Sequence, residues 1–169
     1  MAKASHIRGL QATDPLRLAA ARVLEVRIKE LFAQARGVLD INDIERVHDM
    51  RVASRRLRSV LEIFAPCFPA VEHRAALRDV KSLADALGER RDPDVQIAGL
   101  RTFKGAVGRS DQPGVEHLIE RFRAQQRAGN ARLETVLAET QASDLRGRLE
   151  ALVEAARAES ARREGQATA

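Results

Sequence analysis

Hydrophobic residues recur along this chain at helical spacing and show no strict alternation. Leu16, Ala19, Ala20, Val23, Val26, Ile28 and Leu31 predict a first helix from about 16 to 36. Thr13 or Asp14 is placed to cap it, Pro15 suits its first turn, and Gly37 suits its end. Asn42 and Glu45 stand at capping-box spacing before a second helix, which Val47, Met50, Ala53, Leu57, Val60, Leu61 and Phe64 carry to about Ala65. Pro66 and Pro69 force a turn. Leu77, Val80, Leu83, Ala84 and Leu87 predict a third helix from about Ala70 to Leu87, stopped by Gly88. Asp92 as cap and Pro93 as first residue predict a short fourth helix over 93–107. After a loop at 108–114, Val115, Leu118, Ile119 and Phe122 begin another helix near Pro113. Its apolar stripe lapses over 125–130 and resumes at Leu133, Val136 and Leu137. One continuous helix is expected, because an interior Gly129 costs only ~1 kcal/mol. Ser143 or Asp144 caps a last helix to about Arg163. The expectation is an all-α, up-and-down bundle of five to six helices. It forms a single domain over 14–163, with flexible tails at 1–12 and 164–169.

Composition narrows the class without naming a function. The 169 residues suit one domain with a sizeable core. Apolar content is 44%, but there is no Trp or Tyr and only five Phe, which favours helix-on-helix packing over a sheet. The net charge of +5 permits an anionic partner. Cys67 stands alone, so no internal disulfide can form. Met1 to Thr13 holds no apolar run of signal-peptide length, and nothing approaches the ~18 apolar residues of a membrane span. The expectation is a soluble, cytoplasmic protein with no membrane association.

Charge is sorted in one place. Between residues 43 and 65 stand five Arg and four acids, a near balance. On a helix, His48, Arg51, Arg55 and Arg58 fall on one stripe less than about 90° wide, with Glu62 as the one acid among them. The apolar residues cover a neighbouring, wider face, and Glu45 and Asp49 lie on a third. A solvated helix usually mixes its signs; this one presents a cationic wall. Arg74, Arg78 and Lys81 line up at i, i+4 and i+7 on the next helix, where a solvated face is as good a reading as a ligand face. Arg56 lies off the stripe near Glu45 and Asp49, which suggests a structural ion pair. Arg90 and Arg91 read as helix-end charges, and Cys67 as a small buried residue. His6, His73 and His117 read as surface residues.

The run Val47-His48-Asp49-Met50-Arg51-Val52-Ala53-Ser54-Arg55-Arg56-Leu57-Arg58 resembles the signature helix of the CHAD family, the conserved histidine α-helical domains. The run from Val80 to Val95, a basic helix with Leu87-Gly88 and then Arg91-Asp92-Pro93-Asp94, resembles that family's second block. The signature region is 43–105, and 113–163 reads as a helical extension. The resemblance implies a non-catalytic helical fold that binds inorganic polyphosphate, with His48, Arg51, Arg55, Arg58, Lys81 and Arg91 as contacts. Weaker candidates are Arg74, Arg78, Arg56 and Arg90. It also implies half of a two-fold architecture: the second H-x-x-R-x-x-x-R-R-x-R of two-half members does not occur here. A homodimer that rebuilds the symmetry is therefore expected, and targeting to polyphosphate granules is a compatible role.

The chemistry suits that ligand. Polyphosphate carries roughly one charge per unit and no bases, so a receptor needs cations along a rigid line. Rungs at i, i+3, i+7 and i+10 span roughly 15 Å of helix. Arg supplies bidentate, charge-assisted bonds to phosphate oxygens, and His48 a further donor. Arg91 and free N–H groups near Asp92 and Asp94 are expected at a helix start that favours anions. The main alternative is a helical protein that binds the nucleic-acid phosphate backbone with the same stripe. Against it, no Tyr or Trp is available for stacking. Glu45-x-x-His48 matches half of a di-iron motif, but no second Glu-x-x-His follows, so no metal and no cofactor is expected. A phosphatase-like enzyme would need a general base, metal cluster or phosphate loop, and none is evident.

Overall fold

The computed structural model describes residues 3–167. Among them are five α-helices: α1 (Leu16–Ala33), α2 (Ile44–Ile63), α3 (Ala70–Lys104), α4 (Gln112–Ala142) and α5 (Leu145–Ala167). A 3-10 turn, Ala65–Cys67, joins α2 to α3. No strand occurs among the described residues. The all-α expectation holds, and most of the apolar positions are buried as the pattern puts them. Leu16 and Leu118 are corrections, 64% and 41% exposed because each stands at a helix position no other helix covers, while Leu24 takes a core place in α1. Val47, Met50, Ala53, Leu57, Val60 and Leu61 of α2 are all buried. They meet Ala20, Leu24, Ile28 and Leu31 of α1, Val80, Leu83 and Leu87 of α3, and Leu149, Leu152 and Val153 of α5 in one core.

Helix α1 packs between α2 and α5, and α3 packs on α2 on one side and α4 on the other. At about 1.5 Å per residue, α3 is roughly 50 Å long against about 30 Å for α2. The α3–α4 hairpin therefore projects beyond the N-terminus of α2. It carries its own small core of Ile97, Val115 and Ile119.

The third and fourth predicted helices are one. Gly88 does not stop α3, Asp92 does not cap a new helix, and Pro93 lies inside. An interior proline removes a backbone bond and costs about 3 kcal/mol. Tertiary packing offsets this, because Arg90, Pro93, Asp94 and Ile97 are all buried. The carbonyl that Pro93 leaves without its helical partner is that of Glu89. It lies against Gly129 of α4, where an added Cβ would stand 3.0 Å from the Glu89 oxygen and 3.0 Å from the Arg90 Cα. Gly129 thus has a packing reason, and α4 runs through it unbroken, as expected.

That close approach yields a prediction. Alanine at 129 gains ~1 kcal/mol of helix propensity but forces two backbones apart, a strain of about 1–3 kcal/mol. Gly129→Ala is expected to lower stability by about 1 kcal/mol, within a range of about 0–2 kcal/mol, in urea unfolding. A rise in stability would show that α3 and α4 are not locked at this crossing.

Several ends differ from the pattern. Helix α1 stops at Ala33, and Gly37 (φ +74°) serves the connecting turn instead. The Asn42–Glu45 capping box does not form: Asp43 is the N-cap of α2, without a side-chain cap bond. The Asn42 N–H donates to Asp40 Oδ1 at 2.9 Å. Asp144, at φ +46°, accepts from the Gly147 N–H at 3.1 Å and opens α5 as expected. Helix α5 continues to Ala167, past Arg163. Residues 3–13 have no helix, but the Ser5 N–H donates to Glu30, and Arg22 donates to the Gly9 carbonyl. Of the predicted tails, residues 1, 2, 168 and 169 lie outside the described residues.

His73 is a correction. It is buried, not at the surface. Its Nε2–H donates to the Leu61 carbonyl at 2.8 Å, one of the carbonyls the last turn of α2 leaves free, and its ring stacks on Phe68. Cys67 is buried as expected, and burial pushes its thiol pKa up.

Candidate anion-binding face

The core side of α2 fixes what its other side presents. With Val47, Met50, Leu57 and Leu61 buried, His48, Arg51, Arg55 and Arg58 turn to solvent on one face. Arg55 is exposed, and the other three are half-buried. No hydrogen bond or ion pair among the described residues occupies the side chains of His48, Arg51 or Arg55. Arg58 is engaged: its Nε donates to Glu62 Oε1 at 3.0 Å. That is an ordinary half-exposed i,i+4 surface pair, and it holds one cation of the four.

Helix α3 supplies the flank. Lys81 Nζ lies 3.2 Å from the same Glu62 oxygen, so Glu62 joins the two helices. Lys81, Ala84, Gly88 and Arg91 stand at i, i+3, i+7 and i+10, the spacing of the α2 row. The helices run antiparallel, so Arg91 lies toward the His48 end. Between Lys81 and Arg91 the α3 side is small: a Cβ at Gly88 would meet nothing within 4 Å. Arg91 is only 17% exposed, and its Nη1 stands 3.8 Å from Asp94 Oδ2. Arg74 and Arg78 are exposed on the outer side of α3 and form no pair among the described residues.

Two candidates and one local geometry change on inspection. Arg90 is fully buried. Its Nη1 donates to Asp94 Oδ1 at 2.8 Å and its Nε to Asn130 Oδ1 at 3.0 Å. Gln126 Nε2 donates to the same Asp94 oxygen at 2.5 Å, and Asn130 Nδ2 to the Leu39 carbonyl at 3.2 Å. Arg90 is a structural cross-link between α3, α4 and the α1–α2 connection, out of a solvent ligand's reach. Arg56 faces α1 and lines a groove with Val26 and Glu30. The expected helix start at Asp92 does not exist, so no free N–H groups back Arg91 there.

The CHAD domain family model matches residues 22–169. The chain belongs to the CHAD family. The match runs from α1 through α5, so the helical extension beyond residue 113 lies within the CHAD domain. No curated protein and no solved structure matches the chain. Among the described residues, no group of three or more His, Cys, Asp or Glu side chains is placed to hold a metal ion, at Glu45 and His48 or elsewhere. No described helix is long and apolar enough to cross a membrane.

In this CHAD domain Glu62 neutralises part of the basic face by pairing with Arg58 and Lys81. Hydrogen bonds from Arg58 and then Lys81 hold its carboxyl below the usual carboxylate range. The acid stays charged at neutral pH and keeps both cations turned inward on itself. Glu62→Gln removes that charge and releases them. If a polyanion binds this face, the substitution is expected to tighten it about three- to tenfold at near-physiological salt, read by calorimetry with polyphosphate as the probe. Unchanged or weaker binding would mean that Arg58 and Lys81 lie outside the contact.

Proposed function

We propose that this CHAD domain binds inorganic polyphosphate along the basic face of α2, without catalysing a reaction on it. His48, Arg51, Arg55 and Arg58 are the contacts, with Lys81 and Arg91 as the flank across the α2–α3 groove and Arg74 and Arg78 at its outer edge. The observation that carries this reading is the row His48, Arg51 and Arg55. These side chains share one face of a rigid helix and are not spent on internal pairs. Three free donors at successive turns match a repeating anion better than they match a compact one. The CHAD family match supports the choice of polyphosphate over other polyanions.

Double-stranded DNA is the competitor to exclude. A labelled polyphosphate chain bound to the protein is expected to be displaced by unlabelled polyphosphate, while DNA at equal phosphate concentration has little effect. Equal displacement would make the face a general phosphate-backbone surface.

The reading extends to a cytoplasmic homodimer that docks at polyphosphate granules. Leu16, Ile63 and Val71 are 64%, 71% and 68% exposed at the end of the bundle where α1 begins, α2 ends and α3 begins. That apolar end is the surface we assign to the pairing, since twofold pairing is the commonest closed assembly. Light scattering during size-exclusion chromatography is expected to give twice the chain mass. A monomer at high protein concentration would remove the dimer and leave the binding face untouched.

A further inference from the structure

The outward stripe of α3 is charged, and its charges are sorted. Arg74, Arg78, Ser82, Asp85, Glu89 and Asp92 follow one another at spacings of three and four residues, and all are exposed. On a helix they share one face about 80° wide. Cations occupy its first half and acids its second. Arg74 and Arg78 stand at i,i+4, as do Asp85 and Glu89, and like charges at that spacing cost helix stability. Arg74, Arg78, Asp85 and Asp92 form no hydrogen bond or ion pair among the described residues that would offset the cost. Glu89 meets Arg132 Nε of α4 at 3.6 Å, with both side chains more than half exposed.

A helix face with cations at one end and acids at the other complements its own copy turned end for end. Two α3 helices set antiparallel about a twofold axis beside Ser82 bring Arg78 against Asp85 of the partner subunit. The same register brings Arg74 against Glu89 of the partner subunit, and the symmetry forms each pair twice. Ser82, small and exposed, lets the helices approach at the axis. A parallel arrangement would set Arg against Arg and acid against acid, which is repulsive. We propose that two copies of this chain pair antiparallel through this stripe of α3. The contact is built from exposed charges, so it is weak, transient and sensitive to salt. It is separate from the apolar end at Leu16 and Ile63, whose pairing salt does not screen.

The pairing has a consequence for the basic face. Lys81, Gly88 and Arg91 stand about a quarter turn round α3 from the stripe. A twofold axis between antiparallel helices leaves that side of both copies facing the same way. The α2–α3 grooves of the pair then open on one surface, where one long polyanion can reach both. That consequence rests on the polyphosphate reading; the pairing itself does not.

The test is the mass of the full chain by light scattering, without polyphosphate, at about 1 M and about 0.01 M salt, where charges interact over about 3 Å and 30 Å. The net charge of +5 makes copies repel as salt falls, so only local complementarity raises the mass. At low salt a rise toward twice the high-salt mass is expected with increasing protein concentration. Arg74→Glu/Arg78→Glu and Asp85→Lys/Glu89→Lys are each expected to weaken this association more than tenfold. An equimolar mixture of the two variants should recover it, because each reversed charge then meets a reversed partner. The four positions are exposed, so circular dichroism should show both variants folded. A dimer through the apolar end would keep its mass at high salt and in both variants. A mass that does not rise at low salt, or a rise that survives in either variant alone, would overturn the proposal. So would a mixture of the two variants that fails to associate.

Discussion

Asp94→Ala is expected to destabilise this domain by about 3–5 kcal/mol, the range for removing one partner of a buried ion pair. Domain stabilities are typically about 5–15 kcal/mol, so the variant stands near the edge of folding. The loss has a named origin. Asp94 accepts from Arg90 and Gln126 on one oxygen, with neither its own side chain nor that of Arg90 exposed. Without the carboxylate, the Arg90 guanidinium is a buried charge held only by Asn130. The bonds that tie α4 to α3 beside Pro93 weaken together. Urea unfolding followed by circular dichroism reads the effect. Arg90→Met/Asp94→Leu removes both charges and is expected to recover most of the loss, because apolar residues of similar volume replace buried pairs at little cost. A single-variant loss below about 1 kcal/mol would mean that the pair is hydrated and that α3 is held straight by other contacts.

Arg51→Ala/Arg55→Ala is expected to weaken polyphosphate binding by about 10- to 100-fold at near-physiological salt. Both side chains belong to the outward face of α2 and have no hydrogen-bond or ion-pair partner among the described residues. Stability should therefore change by no more than about 0.5 kcal/mol. Each lost phosphate contact also removes a counterion-release step, so the slope of log affinity against log salt should flatten by roughly one to two. A change in affinity with an unchanged salt slope would point to altered structure in place of lost contacts.

The fold was legible wherever a single helix decides its own pattern. Apart from Ser54, the buried residues of α2 are those its apolar spacing marks, and the basic row follows from them as another side of the same periodicity. Glycine and proline misled at α3. Gly88, Asp92 and Pro93 carry the local chemistry of one helix ending and another beginning. What overrides them lies about 40 residues away, in Gln126, Gly129 and Asn130 of α4. Arg90 was misplaced for the same reason, since no linear pattern tells a buried arginine from a helix-end one when its partners sit on another helix. His73 is similar: its acceptor is a carbonyl at the end of α2, and its stacking partner lies beyond a turn.

The most direct test of the central claim is a calorimetric titration of long-chain polyphosphate into the protein at near-physiological salt. Arg51→Ala/Arg55→Ala and a double-stranded DNA titration run beside it. Tight binding to polyphosphate, weak binding to DNA and loss in the variant are the predicted results. Polyphosphate affinity that survives Arg51→Ala/Arg55→Ala, or is matched by DNA, would contradict a dedicated polyphosphate face on α2.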